Sequence, residues 1–176
     1  QNVPAGGSTG SGSGGGSAFG GSAAGGADPN DPYAEARQLC VDTINQFRAE
    51  KGLVPLSRWT EAESCTDQQA TSDETTGSAH GAFGDCDERA QNECLGGGVD
   101  RLGRCLQSMW GEKDQPGCAG CDACAAEYTS DCPNCDFYGE ETGEQCGHYV
   151  NMSAEYLTQV ACGFSSLGGW AVINFR

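Results

Sequence analysis

Thr158-Gln159-Val160-Ala161-Cys162-Gly163-Phe164 is followed, across Leu167-Gly168-Gly169, by Trp170-Ala171-Val172-Ile173-Asn174-Phe175. β-Branched and aromatic residues concentrate in both runs and two glycines free the backbone between them, so the pattern predicts an antiparallel hairpin. Tyr149-Val150-Asn151-Met152 reads as a further strand. Upstream the period changes. Tyr33, Ala36, Cys40, Ile44 and Phe47 recur at steps of three and four, the signature of one helix face, with Asp31-Pro32 opening the helix and Gly52 stopping it. A second helix is expected from Thr60-Glu61-Ala62-Glu63, where Thr60 and Glu63 can cap each other's backbone, with Trp59, Ala62, Cys65 and Ala70 on its buried side. A short helix over Glu88 to Cys94 follows, then a longer one from Asp100 to Trp110 with Leu102, Cys105, Leu106 and Met109 inward. Helices early and antiparallel strands late define an α+β layer fold.

Residues 1–27 hold 11 Gly, 5 Ser and no charged side chain, so they have high backbone entropy and little to bury. Residues 1–30 are therefore expected to be a Gly/Ser-rich arm or linker, and residues 31–176 the domain. Small residues permit close backbone approach, and an extended arm can add itself to a second copy, which makes self-association through residues 1–27 an expected partnership. The chain carries 25 acidic and 9 basic side chains, net −16. Such a surface repels phosphate, which argues against nucleic acid and anionic lipid as partners. The sequence starts at Gln1 and has no apolar run of 18 residues, so a mature secreted chain without a transmembrane helix is expected.

Twelve cysteines, an even and high count, suit six disulfides and an oxidising compartment. Six of them lie in residues 112–146 with nine acidic side chains and Lys113 as the single base, so this stretch carries half of the net charge. A Cys-rich acidic insertion is expected at about 113–146. Cys118-x-x-Cys121-x-x-Cys124 and Cys132-Pro133-Asn134-Cys135 have spacings that would suit zinc or an iron-sulfur cluster in a reducing compartment. In an oxidising one they staple a loop too polar to build a core.

His80 and His148 are the two histidines of the chain. His80 stands in Ser78-Ala79-His80-Gly81, ahead of the acidic turn Asp87-Glu88-Arg89-Ala90-Gln91-Asn92; His148 stands in Cys146-Gly147-His148-Tyr149, after Met109-Trp110-Gly111-Glu112. Two imidazoles and two carboxylates could hold a divalent cation or exchange protons around a ligand. Trp59, Trp110 and Trp170 could rim a ligand site, but apolar neighbours favour the core. Asn45 and Arg48 are read as ties between the first helix and the sheet.

These pieces in this order resemble the CAP superfamily: cysteine-rich secretory, antigen 5 and pathogenesis-related 1 proteins, the SCP domain. Asn45-Gln46-Phe47-Arg48, Gly52-Leu53-Val54-Pro55-Leu56, Trp59, His80, the Glu88-to-Asn92 turn, Trp110-Gly111-Glu112, Gly147-His148-Tyr149, Ala161-Cys162-Gly163 and Ile173-Asn174-Phe175 carry the resemblance, which covers residues 33–176 outside the insertion. It implies a three-layer α-β-α sandwich, disulfide-rich, preceded here by an extended arm. It also implies a central cleft with His80, Glu88, Glu112 and His148 as metal-binding residues, and a divalent metal, zinc first, as cofactor. Asp85, Asp87 and Glu93 rival Glu88. Ile44, Asp87 and Val150-Asn151-Met152-Ser153 depart from the family pattern. The resemblance favours a secreted, non-catalytic binding module for a cation or small extracellular ligand. A filament subunit polymerised through the arm and a secreted metal-dependent hydrolase are the alternatives.

Overall fold

A computed structural model describes residues 30–176. The arm, and with it the expected self-association, lies outside the described residues. One sheet has the strand order β1 (Ser57–Arg58), β3 (Gln159–Phe164), β4 (Trp170–Phe175), β2 (Ala90–Leu95). The hairpin of β3 and β4 forms as expected, antiparallel with Val160 opposite Phe175, and β2 runs antiparallel along the outer side of β4.

Alternation along the strands builds the layers. Val160, Cys162 and Phe164 of β3 and Ala171, Ile173 and Phe175 of β4 point into one apolar cluster. That cluster also takes Ile44 and Phe47 from α1 (Ala34–Glu50), Leu102, Leu106 and Trp110 from α3 (Gly98–Gly111), and Val150 and Met152 from α5 (Gly147–Ser153). Full burial of each large side chain of this kind contributes about 1.5–3 kcal/mol. The opposite face of the sheet is covered by α2 (Glu63–Thr76), where Asn174 donates to Thr66 and Gln69, and a Cβ at Gly163 would run into the backbone of Thr66. Helices on both faces of one sheet make the three-layer α-β-α sandwich.

The face that α2 buries is polar: Glu63, Thr66, Gln69 and Asp73 beside Ala70. Cys65, expected inward, is half-buried and bonded to Cys86. The reciprocal cap does not form either. Thr60 opens a 3-10 turn over Thr60–Ala62, and Glu63 instead pairs with Arg58.

Two elements differ in type from the sequence reading. Glu88 to Cys94 is not a helix: Ala90 to Leu95 is the strand β2, because its two faces are buried against different layers, which hides the period-2 signal. Tyr149 to Met152 is not a strand: it belongs to α5, a short helix in which Tyr149, Val150, Asn151, Met152 and Ser153 are all buried. A helix buried all round has no amphipathic stripe to read.

All twelve cysteines are paired: Cys40–Cys162, Cys65–Cys86, Cys94–Cys105, Cys118–Cys146, Cys121–Cys135 and Cys124–Cys132. The last three staple the insertion around α4 (Cys121–Glu127). The CxxC spacings thus serve disulfides. Trp59 and Trp110 are core residues, and Trp110 stacks on Phe47 with ring centroids 5.5 Å apart. Asn45 pairs through its amide with both backbone groups of Leu56. Arg48 donates to the carbonyls of Val54, Met152 and Ala154, so it ties α1 to the end of α5 rather than to the sheet.

Candidate functional site

The strand β2 is an edge strand, and elements of both helical layers close around it. Gly77, left-handed at φ 67°, stops α2, and the loop that follows carries His80 on the α2 side. On the other side α5 carries His148, and Asn151 of α5 donates to the carbonyl of Gln91 and to Asn92 Oδ1. Both imidazoles line one cavity of about 460 Å³, together with Phe83, Arg89, Gln91, Tyr128, Phe137 and Tyr138.

His148 Nδ1 lies 2.6 Å from Glu112 Oε1, and Glu112 Oε2 accepts the Tyr149 N–H at 3.0 Å. The carboxylate can only accept, so His148 carries its proton on Nδ1. Glu112, at the end of α3, therefore orients His148 from behind.

Glu88 does not meet His80. It is buried and accepts the N–H groups of Gly84 and Cys86 and one amide hydrogen of Gln69, at 2.6 to 2.9 Å. The partner at His80 Nδ1 is Gln91 Oε1, 2.9 Å away. Among the rivals to Glu88, Glu93 reaches His80: it accepts the His80 backbone N–H at 2.8 Å.

A chain of amides links Glu88 to His80, and its direction is fixed from the acceptor-only end. Gln69 Nε2 faces Glu88 Oε1 and the Ala82 carbonyl, so Gln69 Oε1 is left to accept from Asn174 Nδ2 and Gln91 Nε2. Gln91 Nε2 also donates to Asn174 Oδ1, which turns Gln91 Oε1 toward His80. His80 thus carries its proton on Nδ1 as well. Neither Nε2 has a hydrogen-bond partner among the described residues, and both are free to accept from a ligand or bind a cation. Sequence reasoning missed Gln91 because it sought a carboxylate; the buried, uncharged run Ala90-Gln91-Asn92 beside an imidazole was the available signal.

Replacing Glu88 with alanine strands the three donors it serves. The expected loss is about 2–3 kcal/mol of stability, with His80 passing from one tautomer to a mixture in its ¹⁵N chemical shifts. An unchanged His80 spectrum in a folded Glu88→Ala protein would show that the amide chain does not set the tautomer.

Among the described residues, one group of three His, Cys, Asp or Glu has its ligand atoms all within 4.8 Å of one another: Cys118, Cys121 and Cys146, each of which is in a disulfide. At the cleft the donor set is two imidazole Nε2 atoms. Imidazole nitrogen is a donor that borderline cations such as zinc accept.

The fold and cleft define a disulfide-rich α-β-α sandwich with paired histidines at its sheet edge. The solved structure of Na-ASP-1, a CAP-family protein, has this fold: TM-score 0.59 at 13% sequence identity, over 80% of the present chain. The chain spans 38% of the length of that protein. No protein-family model and no curated protein matches the sequence.

Proposed function

We propose that the chain is a secreted, extracellular CAP-type binding module whose cleft, between His80 and His148, holds a divalent cation, zinc first, or a small ligand without turning it over. The observation that carries this reading is the pair of imidazoles in one cavity, each with Nδ1 engaged from behind and Nε2 unengaged. Proteins orient metal-binding histidines in this way, the outer partner fixing tautomer and ring angle. In this reading His80 and His148 hold the cation, Glu112 orients His148, and Gln91 takes the corresponding place at His80. Glu88 is the anchor of the amide chain. A bound zinc ion would supply Lewis acidity at the cleft. Six disulfides suit an oxidising compartment outside the cell, and with no free cysteine the chain offers no thiolate nucleophile. No helix among the described residues is long and apolar enough to cross a membrane.

Calorimetric titration of the full chain with zinc chloride tests the reading. Saturable one-site binding is expected, weakened at least about tenfold in His80→Ala and in His148→Ala and about tenfold in Glu112→Gln. Binding that ignores all three substitutions, or no binding, removes the metal from the proposal.

A further inference from the structure

In a chain with 25 acidic side chains, the residues lining the histidine cavity include no Asp or Glu. They do include Arg89, whose guanidinium makes no hydrogen bond or ion pair with a described residue. The buried acids closest in sequence are engaged elsewhere, Glu88 by Gln69, Gly84 and Cys86, and Glu93 by the backbone of His80, while Asp87 is exposed and does not line the cavity. The cavity therefore offers an anion the Arg89 cation with no carboxylate in its lining, the nearest carboxylates, Glu112 and Glu93, standing behind the two imidazoles.

The walls are aromatic. Phe83 comes from the loop after His80, and Tyr128, Phe137 and Tyr138 come from the disulfide-stapled insertion. Tyr138 and Phe83 are largely exposed, and Phe137 and Tyr138 meet edge to face with centroids 4.8 Å apart. Tyr128 donates to the Arg89 carbonyl at 2.8 Å, which fastens the insertion to the segment that presents the cation. Four rings around about 460 Å³ offer flat, apolar contact to a ring-bearing molecule, in the size range of small-ligand sites.

We propose that the cleft binds an organic carboxylate with a flat apolar body, the carboxylate paired with Arg89 and the body held between Phe83 and the rings of Tyr128, Phe137 and Tyr138. An Arg-carboxylate contact can form two parallel charge-assisted hydrogen bonds, so it selects carboxylate over a neutral group of the same shape. The insertion then acts as the selectivity wall of the cleft, and its three disulfides keep that wall in place. This inference rests on the cleft being a binding site, but not on a metal filling it.

Naphthalene-2-carboxylate and its neutral amide are suitable probes, titrated into the full chain by fluorescence with chelator and again with zinc. The carboxylate is expected to bind about tenfold or more tightly than the amide. Arg89→Gln should abolish that preference, weakening the carboxylate at least about tenfold more than the amide, and Tyr138→Ala, at an exposed ring, should weaken both probes alike. Equal affinity of the two probes, survival of the preference in Arg89→Gln, or no saturable binding of the carboxylate overturns the proposal. Preference that persists in chelator in a chain that fails to bind zinc supports it while retiring the metal; zinc binding without the preference does the reverse.

Discussion

Replacing Cys40 and Cys162 together with alanine is expected to lower the melting temperature by roughly 10 °C, the largest loss among the six disulfides. The bridge joins α1 to β3 across a sequence separation of 122 residues, the longest loop in the chain. The other five bridges lie inside that loop and shorten its effective length, which still leaves a chain-entropy contribution of about 4 kcal/mol. Cys124–Cys132, with a separation of 8, should give about 2.5 kcal/mol on the same logic. Both sulfurs of the long bridge are buried in the main core, so the double substitution also leaves small voids there. Thermal unfolding of the two double-alanine variants checks the order. Equal losses would mean that loop closure is not what the long bridge contributes.

The elements legible in the sequence were those with one wet face or one punctuating residue. The α1 stripe from Ala36 to Phe47 follows the burial, and the Gly52 stop and the exposed turn at 166–168 between the almost wholly buried β3 and β4 fall where it breaks. The elements misread, β2 and α5, bury nearly every side chain, so neither period survives in their residues, and unlike β3 and β4 they are not flagged as a pair by a Gly-Gly turn between them. The inner face of α2 was illegible for a different reason. Gln69 and Asp73 look like surface residues until Gln91, Glu93 and Asn174 are brought opposite them by strand pairing. The same blindness explains the site. His80 and His148 could be read from composition and order, and Glu112 entered the cleft through the family resemblance, as a metal-binding residue rather than as the partner of His148, whereas the neutral amide behind His80 and the anchoring role of Glu88 depend on a hydrogen-bond chain across three elements.

One pair in that layer leads to a pH dependence. Asp73 is fully buried with no donor to either carboxylate oxygen among the described residues, and Glu93 Oε2 is equally without one. The pair is satisfied when one carboxyl keeps its proton and donates it to the other. Burial pushes the Glu93 carboxyl up to about 8, the His80 backbone N–H opposes this, and the hydrogen bond and like charge of Asp73 reinforce it. The unfolded chain releases the same proton near the ordinary value of 4.5. Folding therefore takes up a proton between these limits, so stability is highest below about 4.5 as far as this group is concerned and falls as pH rises toward about 8. Asp31 and Asp122 shift the other way, burial being outweighed by hydrogen bonds from Arg37 and from Lys51, and Asp136 is lowered by the backbone N–H of Thr142. Their stabilisation is present at neutral pH and is lost only in acid, below the window in which Glu93 acts. The metal-free domain in chelator should accordingly melt roughly 5 °C or more higher at pH 5 than at pH 8. Glu93→Gln keeps an oxygen for the His80 N–H and gives Asp73 a permanent donor, so it should flatten the slope and stabilise the domain most at pH 8. A variant whose melting temperature follows the wild-type slope would mean that the proton is held elsewhere.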